Sequence, residues 1–567
     1  MTVRVSTADV FEGRGRERLA AIEQAAWPLF GAVAAVAAAL ILWLGRGRTF
    51  SSDELTWFMQ TPDLDLDGAL QPHGGHLILT TRLVYKALFE TLGVSYLPFQ
   101  LLTVATVVLT AGLFFAYAGR RVGRLVALAP TLVLLVFGSD SAHLLSGNGF
   151  TVIGAVACGL GALLALDRGD RKGDIVACAL LCLGVVTYTV ALALVVGVAV
   201  SVLLREDRWR RIWIVAIPIA IYCAWWLWAL GSASSSENQI ALWNLLLFPS
   251  WGFQSLSAVL GALTGLDYAF SDTTAKVGPA LALLGIIGLS WRLWRGSVPA
   301  MLWAALGIVV TLWMMGAISR TLLRLPDSSR YLYPGAVAVL VLAAWTVVGT
   351  RWKPPAVIVL FLVAAAGVAT NISLLRSSGS LNRVVAMQER AELAGIEIAD
   401  GAADPAFAPG AGAAIPIAFA FGEQHAIGAY LAATDRYGSI GYSAEELRGL
   451  SEGGLSEALR ASADKTLVGA LALGLTPTES GLLGHDCVEV GAGPGQVPSL
   501  ELMAGQAAVF ESDEAATVQV RRFAALSGVD VGSLVPGEAT TLAVPADGIA
   551  DPWQVTASAP IRACAPR

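Results

Sequence analysis

The chain has 567 residues, of which 56% are hydrophobic and 14% charged, with mean hydropathy +0.66 and a formal net charge of −6. Soluble domains average about 25% charged residues, so the composition excludes an ordinary soluble protein and defines a polytopic α-helical membrane protein. No basic block of the size that tracks a nucleic-acid backbone is present, which sets nucleic acid aside as a partner.

Residues 1–25 are polar and carry Arg14, Arg16 and Arg18. The apolar run at 27–44 follows and stops at LWLGRGR with no small-residue cleavage site, so it reads as a retained first span leaving the cytoplasm. Residues 46–95 then form a first outer loop. It opens on SSDE, with Asp53 and Glu54 adjacent, and passes through QPHGGH, with His73 and His76. It closes on a helical pattern at 77–92, where Arg82, Lys86 and Glu90 share one face and Leu77, Val84 and Leu88 another. Such a helix lies along a membrane surface more readily than across it. Asp63, Asp65, Asp67 and Gly68 match the first half of a calcium loop, but Pro72 and Gly74 break the second half, so a solvated acidic loop is the better reading.

Further apolar runs lie at 96–118, 125–137, 150–166, 175–204, 212–230, 277–289, 298–317, 331–348 and 356–372. The run at 175–204 reads as a tight pair pivoting near Thr187, Tyr188 and Thr189, which brings the total to about eleven spans. The basic loops RRVGR, DRGDRKGD, REDRWRR, WRLWRG and TRWKPP all fall on one side, at the returns of successive spans, placing the N-terminus in the cytoplasm and the part after the last span outside. The stretch LWNLLLFPSWGFQ reads as a second interfacial helix. Two features oppose the positive-inside trend: Arg46 and Arg48 beyond the first span, and Arg320, Arg324 and Arg330 in one late outer loop.

Residues 376–484 read as an exported linker and mixed region, with a Gly-Ala-Pro stretch at 400–416 and a helix at 443–461. Beyond 485, short alternating runs at 499–503, 507–511, 517–523, 540–544 and 553–558 are separated by turn signals, the pattern of a β-sandwich over 485–567. Cys487 and Cys564 lie there, and a disulfide between them would tie the first strand to the last. Cys158, Cys178, Cys182 and Cys223 lie in apolar runs and read as small buried hydrophobes.

An acidic pair on the outer side, beside a basic outer loop, suits sugar transfer from a lipid phosphate. The acceptor hydroxyl must lose its proton as it attacks the anomeric carbon, and Asp53 or Glu54 is placed to take it. The leaving lipid phosphate needs cationic donors, for which Arg320, Arg324 and Arg330 are candidates, with Lys86 or Arg82. Arginines suffice for that charge, so no metal and no cofactor are expected. His73 and His76 would shape the donor site, and Tyr331 would stack on or hydrogen-bond the sugar. The plainer readings are a helix cap for the D-E pair, tolerated loop histidines, and arginines paired with Asp327 or lipid headgroups.

The order of one span, an acidic outer loop, a juxtamembrane helix, further spans and an exported domain resembles the GT-C superfamily of membrane glycosyltransferases. Within it the chain is similar to actinobacterial members that use polyprenyl-phosphate sugars, such as the arabinofuranosyltransferases. The motifs that carry the resemblance are SSDE (51–54), QPHGGH (71–76) and SSRYLYP (328–334). It implies a GT-C-like membrane domain over 26–375 whose base maps to Asp53, and a sandwich similar to a carbohydrate-binding module. It further implies inverting, metal-independent transfer from a polyprenyl-phosphate sugar to an envelope glycan or glycolipid, at the outer face of a bacterial plasma membrane. Membrane lipid is then the remaining partner. A second reading is a non-catalytic membrane anchor that binds glycan or assembles the envelope. A transporter or flippase ranks third, because the spans are almost free of charge and show no repeated halves.

Overall fold

Each expected apolar run is helical in the computed structural model, which describes residues 16–231, 242–266, 277–296, 298–318, 325–409, 417, 420–421, 427–478, 483–490, 500–547 and 549–566. The helices used below are α1 (Arg16–Leu44), α2 (Asp53–Gln60), α3 (Leu66–Leu70), α4 (Leu79–Leu92), α5 (Leu97–Val122), α6 (Arg124–Leu135), α7 (Ser141–Leu144), α8 (Gly149–Leu166) and α9 (Arg171–Thr187). They continue with α10 (Ala191–Leu203), α11 (Arg208–Arg211), α12 (Trp213–Ala229), α13 (Phe248–Thr264), α14 (Gly278–Trp294), α15 (Ala300–Ile318), α16 (Ser329–Thr346) and α17 (Pro354–Ile398). The chain divides into two units. One holds 1–46, 64–88 and 96–381, and the other 47–63, 89–95 and 382–567.

The first unit is the helical bundle. Among the described residues seven segments are long and apolar enough to cross a membrane: Glu23–Leu44 of α1, α5, 124–144, α8, 243–264, α15 and α17. Three shorter helices, α10, α12 and α14, are also apolar. Where helices cross closely the residue is small: a Cβ on Gly197 would meet Ile308 Cγ1 at 2.3 Å, and one on Gly159 would meet Leu194 Cδ1 at 2.5 Å. α6 begins after Gly123, which has no side chain to cap the exposed N–H groups of the first turn. Glu23 of α1 does so instead, its two oxygens accepting from Arg124 N (2.5 Å) and Leu125 N (2.6 Å).

α13 is apolar enough to span, yet both its ends reach the same end of the bundle. Before it, Asn244 donates to Ile318 O (3.3 Å) at the finish of α15. Ser255 donates to Pro326 O (3.2 Å), just ahead of α16, and Ala262 O accepts from Asn371 (2.9 Å). Asn371 in turn holds Ser139, whose carbonyl accepts from Ser329 in the first turn of α16. α13 therefore lies across that end, consistent with an interfacial placement of this stretch.

The expected face of α4 is rotated in the structure. Thr81, Arg82, Tyr85 and Phe89 are buried, whereas Leu83 is exposed. The buried Arg82 turns inward because its guanidinium donates to the carbonyls of Gly68 and Gln71, at the end of α3.

In the second unit, an aromatic cluster packs α2. Phe58 lies 5.2 Å from Phe89, 5.9 Å from Tyr430 and 6.1 Å from Tyr437, and Phe50 lies 5.0 Å from Phe89. Arg436 adds an ion pair to Glu90 (2.7 Å) and a bond to Pro62 O. The expected helix at 443–461 is two: Ala444–Arg448, begun by a Ser443–Glu446 capping box, and Gly454–Ala470. The break falls at Gly453, whose φ of 147° a helix does not admit.

The C-terminal strands form two antiparallel sheets, with β1 (Thr476–Pro477), β2 (Leu483–Val490), β3 (Leu500–Leu502), β4 (Ala507–Glu511), β5 (Ala516–Arg521), β6 (Val529–Leu534), β7 (Thr540–Ala543), β8 (Trp553–Ala557) and β9 (Ile561–Pro566). Their orders are β1-β7-β4-β9-β2 and β3-β8-β5-β6. Alternate residues of β5 (Ala516, Val518, Val520) are buried, as is Trp553 on β8. Cys487 and Cys564 are bonded at facing positions of β2 and β9, so the bridge closes on the second strand, because the short β1 precedes it.

Candidate functional site

The SSDE segment lies in the second unit. Its backbone is unusual at Ser52, with φ 51° and ψ −119°, a left-handed conformation that costs a non-glycine residue about 1–3 kcal/mol. Ser52 is the residue from which α2 starts, so Asp53 and Glu54 occupy the first helical turn, where the helix dipole favours carboxylates. Asp53 is half-buried and Glu54 is buried.

Glu54 has an acidic neighbour that sequence reasoning missed. Ser51 Oγ donates to Glu389 Oε1 at 2.7 Å. Glu389 lies on α17, which at 45 residues is about 68 Å long, more than twice the hydrocarbon thickness of a bilayer, about 30 Å. Its apolar part ends near Leu375, and Glu389 stands on the polar continuation. Burial pushes the Glu389 carboxyl up to about 8, with the charges of Glu54 and Glu392 adding to the rise. The Ser51 hydrogen bond and the charge of Arg48 oppose it. Glu392 is itself buried and accepts from Gln388 (2.9 Å) and Ser462 (3.1 Å). The carboxyls of Glu54 and Glu392 thus act on Glu389 near the start of α2, with Arg48 as the opposing cation. Two carboxyls whose surroundings separate their protonation are the usual means of keeping one ionised base beside one neutral donor.

The remaining candidates lie in the first unit. His73 and His76 exchange both backbone hydrogen bonds (3.0 and 2.9 Å) across Gly74 and Gly75, whose φ values of 53° and 80° make the two-residue turn that only glycine readily supplies. That turn aims His76 at the pivot between α9 and α10: its Nδ1 lies 2.5 Å from Thr189 Oγ1, and its ring 4.5 Å from that of Tyr188. Arg82 is committed to the two carbonyls described above, Lys86 is half-buried, and Arg330 is exposed with its guanidinium 5.8 Å from the Tyr331 ring. Arg320 and Arg324 lie outside the described residues.

A second polar node of this unit was only partly visible in the sequence. His143 Nδ1 lies 2.8 and 2.9 Å from the two oxygens of Asp140, which is fully buried. Beside it, Asn371 accepts from Ser139 N and Oγ (2.8 and 2.9 Å) and donates to Ala262 O and Gly367 O (both 2.9 Å). The only signal was a histidine and an aspartate three apart in GSDSAHLL. Asp65 of the acidic loop caps α3 by accepting from Gly68 N (2.7 Å). Among the described residues no group of three or more His, Cys, Asp or Glu side chains is placed to hold a metal ion.

Neither a protein-family model nor a curated protein matches the sequence. Two solved structures of ArnT from Cupriavidus metallidurans align with it, one bound to undecaprenyl phosphate and one in the apo state. Each is 14% identical over 75% of this chain and 91% of the ArnT chain, with TM-scores of 0.44 and 0.42. At that identity and score the likeness is remote. It assigns neither a substrate nor a site residue, and it does not bear on the arabinofuranosyltransferase-like grouping.

Proposed function

We propose that the chain is a membrane glycosyltransferase that moves a sugar from a polyprenyl-phosphate donor to an envelope glycan or glycolipid acceptor at the outer face. The supporting observation is the carboxyl cluster at the head of α2, where the accessible Asp53 adjoins the buried Glu54 and the neutral-leaning Glu389. Asp53 is the base. It takes the acceptor hydroxyl proton as the new bond forms at the anomeric carbon, and the electron pair of the breaking bond leaves with the lipid phosphate. Glu54 holds sugar hydroxyls or keeps Glu389 protonated, and Glu389 donates a hydrogen bond rather than a charge. Arg48, whose charge already reaches Glu389, is the cation of this unit for the leaving phosphate. Lys86, Arg330, His73 and His76 retain the phosphate- and sugar-binding roles expected from the sequence.

The test is mass spectrometry of envelope glycans from a deletion strain complemented with wild type or with Asp53→Asn. Restoration of a missing glycosyl unit by the wild type alone supports the transferase and names its sugar. Equal restoration by both removes Asp53 from the role of base and favours a glycan-binding anchor.

A further inference from the structure

A cavity of about 700 Å³ lies where α5, α8, α10 and α16 finish and α15 begins, the opposite end of the bundle from His76 and Asp140. Leu163, Leu166, Val202, Met301 and Trp345 give it an apolar wall, and Arg120, Arg121, Arg205 and Arg211 a cationic one. Three carboxylates, Asp167, Glu206 and Asp207, also line it, and Asp167 and Asp207 engage part of the arginine charge.

Two of the arginines are built in. Arg121 is 4% exposed, with its guanidinium 3.4 Å from the Tyr117 ring and 4.8 Å from the Trp345 ring. It donates to Tyr117 O (2.6 Å) and Asp167 (2.8 Å), yet its buried Nε has no hydrogen-bond partner among the described residues. Arg211, 6% exposed, directs Nε to Asp174 (3.0 Å) and Asp207 (3.2 Å), and its buried Nη1 likewise has no partner there. A buried donor left unmade is unfavourable, and both of these arginines line the same cavity. The nearby spare acceptor, Asp174 Oδ1, belongs to a residue outside the lining.

The head of α15 supplies an independent reason. Pro299, Ala300 and Met301 line the cavity at the N-terminus of a 19-residue helix, whose first-turn N–H groups and dipole favour an anion. Taken together, the flanking segments 120–124, 167–174 and 205–211 carry ten basic and five acidic side chains.

We propose that this cavity binds the phosphate headgroup of an anionic phospholipid, with the acyl chains along the apolar wall. Basic pockets between membrane helices at the positively charged face take such headgroups. The cavity is larger than a bare phosphate requires, and its apolar wall has no use in binding one.

The experiment is native mass spectrometry of the purified full-length chain in nonionic detergent. It uses phosphatidylglycerol, phosphatidylcholine and inorganic phosphate as separate probes. Phosphatidylglycerol is expected to bind the wild type, with phosphatidylcholine and inorganic phosphate binding roughly tenfold more weakly or not at all. Arg121→Gln combined with Arg211→Gln should weaken phosphatidylglycerol by roughly tenfold or more, since charge-assisted bonds are lost. Ala300→Trp, which fills the cavity and leaves every arginine pair in place, should do the same and keeps the test valid if the double variant fails to fold. Equal binding of inorganic phosphate would make this a soluble-anion site and overturn the lipid assignment. Undiminished phosphatidylglycerol binding by Ala300→Trp overturns the site itself.

Discussion

Ser51 and Glu389, 338 positions apart in sequence, are joined by a 2.7 Å hydrogen bond that fixes the SSDE segment against the polar part of α17. The bond donates to a carboxyl that burial holds mainly protonated at neutral pH. Removing the donor by Ser51→Ala is expected to destabilise the protein by about 1 kcal/mol and to raise the Glu389 carboxyl further. Thermal unfolding of the variant against wild type at pH 7 measures the first effect.

Glu389 also sets a pH dependence. Its carboxyl sits near 8 in the folded chain against an ordinary 4.5, so the folded state holds a proton that the unfolded state releases between those values. Stability therefore declines as pH rises from about 4.5 to about 8 and levels off above, when both states are ionised. Glu389→Gln removes the titrating group and should flatten this decline. An unchanged slope of melting temperature against pH in the variant would show that another group is responsible.

Asp53 and Glu54 should separate kinetically. Asp53→Asn removes the proposed base and is expected to lower kcat by roughly a hundred- to ten-thousand-fold with KM little changed. Glu54→Gln, at a buried position, should also shift the pH profile, because its charge is one of the causes that raise Glu389. Steady-state transfer assays with a polyprenyl-phosphate sugar decide it, and a wild-type kcat in both variants rejects the assignment.

Ser52 stores strain directly before the proposed base. Ser52→Gly adopts φ 51° without penalty and is expected to gain about 1 kcal/mol of stability. If the strain aims Asp53, the same variant loses activity while its melting temperature rises. A fall in melting temperature would mean that the Ser52 side chain, rather than its backbone, matters here.

Asn371 in the helical unit is a stability site. Asn371→Leu strands the buried N–H of Ser139 and the carbonyl of Ala262, and should cost more than about 2 kcal/mol. Asn371→Asp keeps the acceptor for Ser139 and loses the donors, so it should fall between. Detergent-solubilised melting curves that rank the aspartate variant below leucine would contradict the network.

The sequence made the helical runs legible because each is a continuous apolar stretch, and the pivot at Thr187–Thr189 because polar residues interrupt one such stretch. Asp53 and Glu54 stood out for their position just past a span. Glu389 did not, since its contact with Ser51 spans most of the chain and nothing local marks it among the glutamates of QERAELAGIE. The face of α4 was misjudged because Arg82 counts as polar in any periodicity, while here two carbonyls satisfy it in a buried place. β6 escaped for a different reason: Gly532 and a register shift opposite Val518 and Gln519 disrupt the alternation that revealed β4, β5 and β8.

The cap that Glu23 places on α6 has a consequence for biogenesis. α1 leaves the ribosome before α6, carrying a carboxylate whose only described backbone partners, Arg124 N and Leu125 N, are synthesised about a hundred residues later. Until then Glu23 must stay hydrated, which holds the head of α1 at the aqueous boundary rather than letting it sink into lipid. Arrival of α6 then fixes the depth of α1, so the insertion of the first helix is completed by the third of the long ones.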